Sequence, residues 1–478
     1  MTAARESSTR KSWFLPAVLL ALVSVAALPA GAQTAPPGPA LKLPAYRKAT
    51  LKNGLTVLLM EQHEVPIVSF SFLIKTGAVA DPEGKDGLAS LTAGLLRKGT
   101  KTRTADQVAA DLDFIGGEFD ADAGADYTSG SAEFLKKDLN TGLDLLADIL
   151  LNPTFPEAEV TKMLAQRIDG IKAEKDEARG VIGDYYRSYL YGKHPYGRPS
   201  DGDETSLTHI QRGDAVKFFE TYYAPGNTIL AVAGDFSTPE METLLEQRFG
   251  GWKEHAVPAA ALPAPAPFHG KKLLLVDKPD STQTFFEIGN LGITRNNPDR
   301  VQIEVVNTLF GGRFTSMLNT ELRVNSGLTY GARSSFDRRR VPGPFAIFSF
   351  TKNKTTEQAL DMTLDVLRRL HEKGFTEQEL KSAKEYIKGQ FPPHIETSDQ
   401  LARLMTQLEF YGLDQAEIDG YYGRIDAMTL ADSKRIIEQY FPADNLVFVL
   451  IGKAGEIQGA VKKYAPEMDT KSITEPTF

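Results

Sequence analysis

The chain has 478 residues, no cysteine, 54 Lys and Arg against 62 Asp and Glu, and a formal net charge of −8. The acid excess speaks against nucleic acid or anionic lipid as a main partner, and the lack of Cys excludes thiol catalysis, thiolate metal sites and disulfide staples. Folding must rest on core burial, for which this length suffices in two domains.

Residues 1–32 read as a secretory signal: Arg5, Arg10 and Lys11 make a basic start, Trp13 to Leu28 an apolar core, and Ala30-Gly31-Ala32 a cleavage triplet before Gln33. The core is shorter than the roughly 20 residues of a spanning helix, so an exported, periplasmic chain without a stable membrane span is expected. Loss of this segment, with three basic residues and Glu6, takes the net charge from −8 to −10. Residues 33–45 read as a Pro/Ala/Gly tether, extended and mobile.

Residues 46–256 are expected to form a first domain. Leu55 to Met60 and Ile67 to Thr76 predict a strand pair, and Glu118 to Ala123 with Tyr127 to Phe134 a second hairpin. Between them, Leu88, Leu91, Leu95 and Leu96 recur at helical spacing between Gly87 and Gly99, leaving Ser90, Ala93 and Gly94 on the other face. Thr104 caps a further helix, and helical patterns follow over Leu135 to Leu151, Pro156 to Glu177 and Val181 to Leu190. His194, before Pro195, reads as a hydrogen-bonding turn residue and not as a ligand.

An internal repeat fixes the organisation. Gly213 to Phe236 shifted by 218 residues lands on Ala431 to Ala454, with Asp214/Asp432, Glu220/Glu438, Tyr222/Tyr440, Asn227/Asn445 and Gly234/Gly452 identical. The chain is a tandem duplication, split by a Pro/Ala linker over residues 257–270. A second domain over 271–465 and a tail over 466–478 complete it. Strands mixed with helix pairs in each half predict an α+β fold of two sheets covered by helices.

The second half carries Gly311-Gly312-Arg313-Phe314-Thr315-Ser316-Met317-Leu318, then Leu322-Arg323 and Gly327-Leu328-Thr329-Tyr330. Arg338-Arg339-Arg340 before Val341-Pro342-Gly343 reads as a solvated hairpin tip. Helices are predicted over Thr355 to Lys373, Thr376 to Phe391, Thr397 to Tyr411 and Leu430 to Tyr440. There is no phosphate loop, G-x-S-x-G elbow or dinucleotide fingerprint.

The frame Leu51-Lys52-Asn53-Gly54-Leu55-Thr56-Val57, the Gly87 helix and Lys98-Gly99-Thr100, together with the Gly311 to Tyr330 segment, resemble the M16 metallopeptidases, the family of pitrilysin, mitochondrial processing peptidase and insulin-degrading enzyme. The resemblance implies two tandem α/β rolls facing each other across a cavity. In the family, the first helix carries H-x-x-E-H, two zinc ligands with a water-polarising Glu, and a third ligand Glu follows about 75 residues on. The matching positions here are Ser90, Ala93 and Gly94, with Gly170, or Asp169 after a slip of one, for the third ligand. No zinc is therefore expected in this chain, since a catalytic zinc takes three protein ligands. Arg323 and Tyr330 match the pair that in active members binds substrate backbone and stabilises the oxyanion.

The resemblance thus implies a non-catalytic, substrate-binding and oxyanion-stabilising subunit of an exported heterodimeric peptidase, whose partner carries H-x-x-E-H and the zinc. Two alternatives stand beside it: a free-standing pseudoenzyme that binds or shelters extended peptides, and a structural assembly subunit.

Overall fold

The computed structural model describes residues 41–478, so the predicted signal and most of the predicted tether lie outside the described residues. The first half contributes strands β1 (Arg47–Thr50), β2 (Thr56–Glu61), β3 (Ile67–Ile74), β4 (Glu118–Ala123), β5 (Thr128–Leu135) and β6 (Thr228–Gly234). Its helices are α1 (Leu88–Leu95), α2 (Ala105–Ile115), α3 (Leu139–Leu151), α4 (Glu157–Asp176), α5 (Ala178–Tyr191), α6 (Arg212–Tyr222) and α7 (Thr238–Phe249). The second half contributes β7 (Lys271–Asp277), β8 (Gln283–Leu291), β9 (Ala332–Phe336), β10 (Pro344–Lys352), β11 (Leu446–Gly452) and β12 (Glu467–Ser472). Its helices are α8 (Arg300–Asn307), the single turn α9 (Met317–Asn319), α10 (Thr356–Lys373), α11 (Glu377–Gln390), α12 (Ser398–Phe410), α13 (Ala416–Asp419), α14 (Tyr421–Ala427), α15 (Leu430–Tyr440) and α16 (Ala454–Val461).

Two mixed six-stranded sheets result, in the orders β1-β2-β6-β3-β5-β4 and β12-β7-β11-β8-β10-β9. β2 pairs in parallel with β6, as β7 does with β11, and β6 and β11 each meet β3 or β8 antiparallel. The expected duplication is therefore visible strand for strand, apart from one edge. β1 precedes its half and pairs antiparallel with β2, whereas β12 closes the second sheet from the C-terminus, parallel to β7.

That edge corrects the expected tail, because residues 467–472 form a strand and not a loose end. Beyond it, the backbone oxygen of Glu475 accepts from Lys175 Nζ at 2.6 Å and the Phe478 ring meets Tyr185 edge-on. The end of the tether is pinned as well. Leu43 is 2% exposed, its N–H donates to Asp419 Oδ1 at 2.9 Å, and its carbonyl accepts from Gln415 Nε2 at 2.8 Å. An apolar side chain with a place in the core outweighs the mobility that the flanking Pro and Ala suggest.

Each sheet buries one face against helices of its own half, around Leu91, Leu95, Leu143 and Leu146 in the first and Val305, Phe310, Leu360 and Leu367 in the second. The other face is covered by a helix from the opposite half. α5 lays Val181, Ile182, Tyr185 and Tyr186 on Val276, Val447, Val449 and Ile451, and Tyr186 Oη donates to the Phe345 carbonyl at 2.7 Å. α12 lays Leu401, Ala402, Met405 and Leu408 on Leu58, Met60, Ile229 and Ala231. Burial on both faces explains why β6 and β11 are near-continuous apolar runs without alternation. The linker boundary thus separates the sheets but not the layers. Among the described residues, no helix is long and apolar enough to cross a membrane.

Leu401 is 1% exposed at the centre of an exchanged layer, so Leu401→Ala is expected to destabilise the chain by about 2–5 kcal/mol in urea denaturation. Because each sheet needs a helix of the other half, calorimetry should show one transition, and residues 46–256 expressed alone should unfold without cooperativity. Two separate transitions in the full chain would show that the halves hold their cores independently.

Candidate functional site

α1 is set in place by its N-terminus. Gly87 has φ +94°, and a Cβ there would meet the Asp201 carbonyl oxygen at 2.7 Å, so only glycine fits. The buried Asp81 carboxyl accepts from the N–H groups of Gly87 and Ala89, both at 2.9 Å. Burial pushes its pKa up to about 8 against those two donors and the nearby Arg198. Leu88, Leu91 and Leu95 then anchor the helix in the core at 0–2% exposure.

Ser90 and Gly94, two of the positions expected to be emptied of ligands, face α4 and not open space. Ser90 Oγ lies 2.6 Å from Asp122 Oδ1 on β4 and 2.7 Å from Asp201 Oδ1, and its single proton serves one of them at a time. Arg167 of α4 donates through Nη1 to Ser90 Oγ at 2.9 Å and through Nη2 to the Ser90 carbonyl at 3.0 Å. Its guanidinium also lies 3.7 Å from Asp201, and burial lowers its pKa while Asp201 and Asp122 oppose that. A Cβ at Gly94 would stand 3.3 Å from Arg167 Nη2 and 3.3 Å from Met163 Sδ. Ala93 is 1% exposed, whereas Asp169 and Gly170 are exposed and a Cβ at Gly170 would meet nothing within 4 Å.

These residues do not fit zinc. Ala93, Gly94 and Gly170 bring no donor atom, the Ser90 hydroxyl is committed, and a guanidinium occupies the gap between α1 and α4. Among the described residues, no three His, Cys, Asp or Glu side chains are arranged to hold a metal ion. Arg167 was not among the candidate residues in the sequence, although it lies three positions before Gly170 and so on the same face of α4.

The second segment is wound irregularly. α8 continues as π-helical turns over Thr308–Gly312, and a Cβ at Gly311 would meet Ser334 N at 2.4 Å, which lets the chain press against β9. After α9, a second π-helical stretch, Thr320–Asn325, carries Arg323, and Gly327 at φ +65° turns the chain toward Tyr330. Such π-turns concentrate at functional sites. Thr351 Oγ1 donates to the Leu328 carbonyl at 2.7 Å, and Ser349 Oγ lies 3.3 Å from Thr329 Oγ1, so β10 holds the loop. Tyr330 precedes the strand, since β9 begins at Ala332.

Tyr330 is 79% exposed and Arg323 is exposed. The Arg323 guanidinium stacks on Phe314, 4.7 Å from the ring centre. Phe314 and Tyr330 in turn line a cavity of about 400 Å³, with Arg313, Arg333 and Phe348, and with Arg179 of α5. Phe314 therefore links the two predicted residues. The three lining arginines escaped the sequence reading, since Arg179 and Arg333 join Arg313 only through helix exchange and sheet pairing.

Two further expectations can be placed. His194 is a turn residue, its Nδ1 accepting from Tyr196 N at 3.0 Å and its Nε2 lying 2.9 Å from the Pro263 carbonyl of the linker. Arg339, by contrast, is not solvated. It pairs with Asp337 at 2.6 Å and stacks 5.0 Å from the Tyr196 ring centre, because the β9–β10 connection folds back onto the first half.

Residues 56–203 match the family model of Insulinase (Peptidase family M16), and residues 209–387 that of the Peptidase M16 inactive domain. Together they span about two-thirds of the chain. The chain belongs to the M16 peptidase family. It is 26% identical to the uncharacterized zinc protease YmxG of Bacillus subtilis over 411 residues, 86% of this chain and 99% of that one. It is 28% identical to an uncharacterized zinc protease of Mycobacterium leprae, over 82% of this chain and 88% of the relative. The crystal structure of a peptidase M16 inactive domain from Pseudomonas fluorescens superposes with a TM-score of 0.80 at 26% identity, covering 85% of this chain and 98% of that one. A protease from Helicobacter pylori shares the fold at a TM-score of 0.77 and 23% identity, over 86% of this chain and 100% of its own.

If Arg167 closes the M16 metal position, installing ligands will not reopen it. The variant Ser90→His/Gly94→His/Gly170→Glu is expected to bind no stoichiometric zinc by metal analysis, and adding Arg167→Leu to bring uptake toward one ion per chain. One tightly held zinc in the first variant would show that the guanidinium is no obstacle.

Proposed function

We propose that this chain is the substrate-binding, oxyanion-stabilising subunit of an exported heterodimeric M16 peptidase, with zinc and H-x-x-E-H supplied by a partner subunit. The observation that carries this reading is the state of Arg323 and Tyr330. Both side chains are exposed, and among the described residues neither makes a side-chain hydrogen bond or ion pair, while the backbone beneath them is held by β10. Donors fixed in position but unspent are what a partner's active site can use. Attack of a zinc-bound hydroxide on a peptide builds negative charge on the former carbonyl oxygen, and preorganised donors at that oxygen stabilise the transition state more than the ground state. Membership of the family, the closure of this chain's own metal position by Arg167 and the signal-like residues 1–32 support the division of labour and the periplasmic location.

With a zinc-bearing partner that lacks such a pair, Tyr330→Phe should lower kcat by roughly a hundredfold or more with dimer affinity unchanged. Arg323→Ala should also raise KM, since a guanidinium contributes to substrate binding as well. Arg340→Ala serves as the control, being exposed and bonded only through its backbone N–H to Asp126. Full activity of a reconstituted heterodimer carrying both Arg323→Ala and Tyr330→Phe would overturn the proposal.

A further inference from the structure

We propose that the cavity beside Tyr330 is a subsite for a peptide carboxylate. This deepens the reading that the Arg323/Tyr330 face receives peptides, and it rests on that reading. Three guanidiniums line the cavity, Arg179, Arg313 and Arg333, and no Asp or Glu does. Among the described residues, none of the three forms an ion pair. Arg313 Nη1 donates to Ser382 Oγ at 3.0 Å, but its Nε is buried without a hydrogen-bond partner. Three like charges around one cavity repel each other, in a chain whose net charge is −8. Glu287, buried on β8 in the fields of Arg187 and Arg333, lies outside the lining, and burial pushes its pKa up to about 7, so an excess of positive charge is left over. An anion that enters removes the repulsion and accepts from the guanidinium groups that line the cavity.

The surroundings favour a carboxylate carried on a peptide. The rings hold the guanidiniums in place: Arg333 stacks 4.8 Å and Arg179 5.9 Å from the centre of Phe348, and Arg313 5.9 Å from that of Tyr386. Planar forks fixed in this way match the two oxygens of a carboxylate. β9, which carries Arg333, is the open edge of its sheet, so an extended peptide can pair with it and turn alternate side chains toward the cavity. About 400 Å³ admits an acidic side chain or a chain terminus with a few flanking atoms, at the low end of ligand-pocket volumes.

The test needs no partner subunit, so its failure is distinct from failure of the catalytic reading. Fluorescence anisotropy of the full chain is read with three rhodamine-labelled ten-residue peptides of extended sequence. The first has two internal Glu and an amidated C-terminus, the second Gln in place of Glu and a free C-terminus, and the third Gln and an amidated C-terminus. The first or the second is expected to bind at least tenfold more tightly than the third, which assigns the carboxylate to a side chain or to the terminus. The preference is expected to shrink to twofold or less in Arg313→Gln/Arg333→Gln, and to weaken in Arg179→Gln, which changes an exposed residue of the other half and leaves the fold intact. Equal binding of all three peptides, an undiminished preference in the folded variants, or displacement of the acidic peptide by inorganic phosphate at a lower concentration than by acetate would overturn the assignment.

Discussion

Everything in this chain depends on the exchange of α5 and α12 between its halves. A twisted sheet with two apolar faces cannot stand in water, and each half owns helices enough for only one face of its sheet. Lending a helix across the pseudo-symmetric pair covers both second faces at once, with Tyr185, Tyr186, Leu401 and Met405 at 0–1% exposure. Each such side chain contributes about 1.5–3 kcal/mol through burial. The exchange also decides who meets whom at the surface. Arg179 of the first half reaches the cavity under Tyr330, and Arg403 of the second reaches the smaller one, of about 180 Å³, beside Asp120 and Asp122. Each edge-strand cavity is therefore a joint product of both halves.

The two cavities share an architecture and differ in charge. β4 brings Asp120 and Asp122 to one, whereas β9 brings Arg333 to the other. Asp122 also converges with Asp201 on Ser90, which lies outside the lining of the first, and two carboxylates so placed need a positive neighbour. Arg167 is that neighbour. Its guanidinium between α1 and α4 balances charge that a bound cation would balance in a metal-holding relative, and it does so with directed hydrogen bonds to a hydroxyl and a carbonyl. The contact between α1 and α4 is thus packed and neutralised, and the polar groups at Ser90 are not left unpaired.

The sheets and most helices could be read in advance because their signals are local. Thr104 caps its helix with reciprocal bonds as its place in the sequence suggests, and Thr376 and Thr429 do the same at the starts of theirs. The runs at Thr228 and Leu446 are strands, and the 218-residue repeat brings both into corresponding places. What escaped the sequence was set by distant partners. Pro344–Lys352 becomes β10 because β8 and β9 flank it on both sides, and Glu467–Ser472 becomes β12 because β7 offers an open edge. The latter, Glu-Met-Asp-Thr-Lys-Ser, is polar apart from Met468 and carries no strand pattern of its own. Arg167 and Arg339 resemble ordinary surface charges until the tertiary fold sets Ser90 beside one and Tyr196 beside the other. Arg323 and Tyr330 were singled out only through the motif around them, since their residue types alone carry no such signal.

α1 and the Tyr330 segment differ in which of their residues the fold itself requires. The apolar side of α1 is held by Leu88, Leu91 and Leu95 and its start by Asp81, none of which a metal would touch, so its polar side can change freely while the helix stays in place. For Tyr330 the argument runs the other way. A ring that is 79% exposed adds almost nothing to burial, and its hydroxyl satisfies no buried group. Neither the core nor the hydrogen-bond network of the chain needs a tyrosine there. Two π-helical stretches, a left-handed Gly327 and the bonds from β10 set the backbone that carries this exposed residue. The two stretches also seat Phe310 and Leu322 in the core, so the fold requires the backbone of this segment but not the tyrosine that it displays.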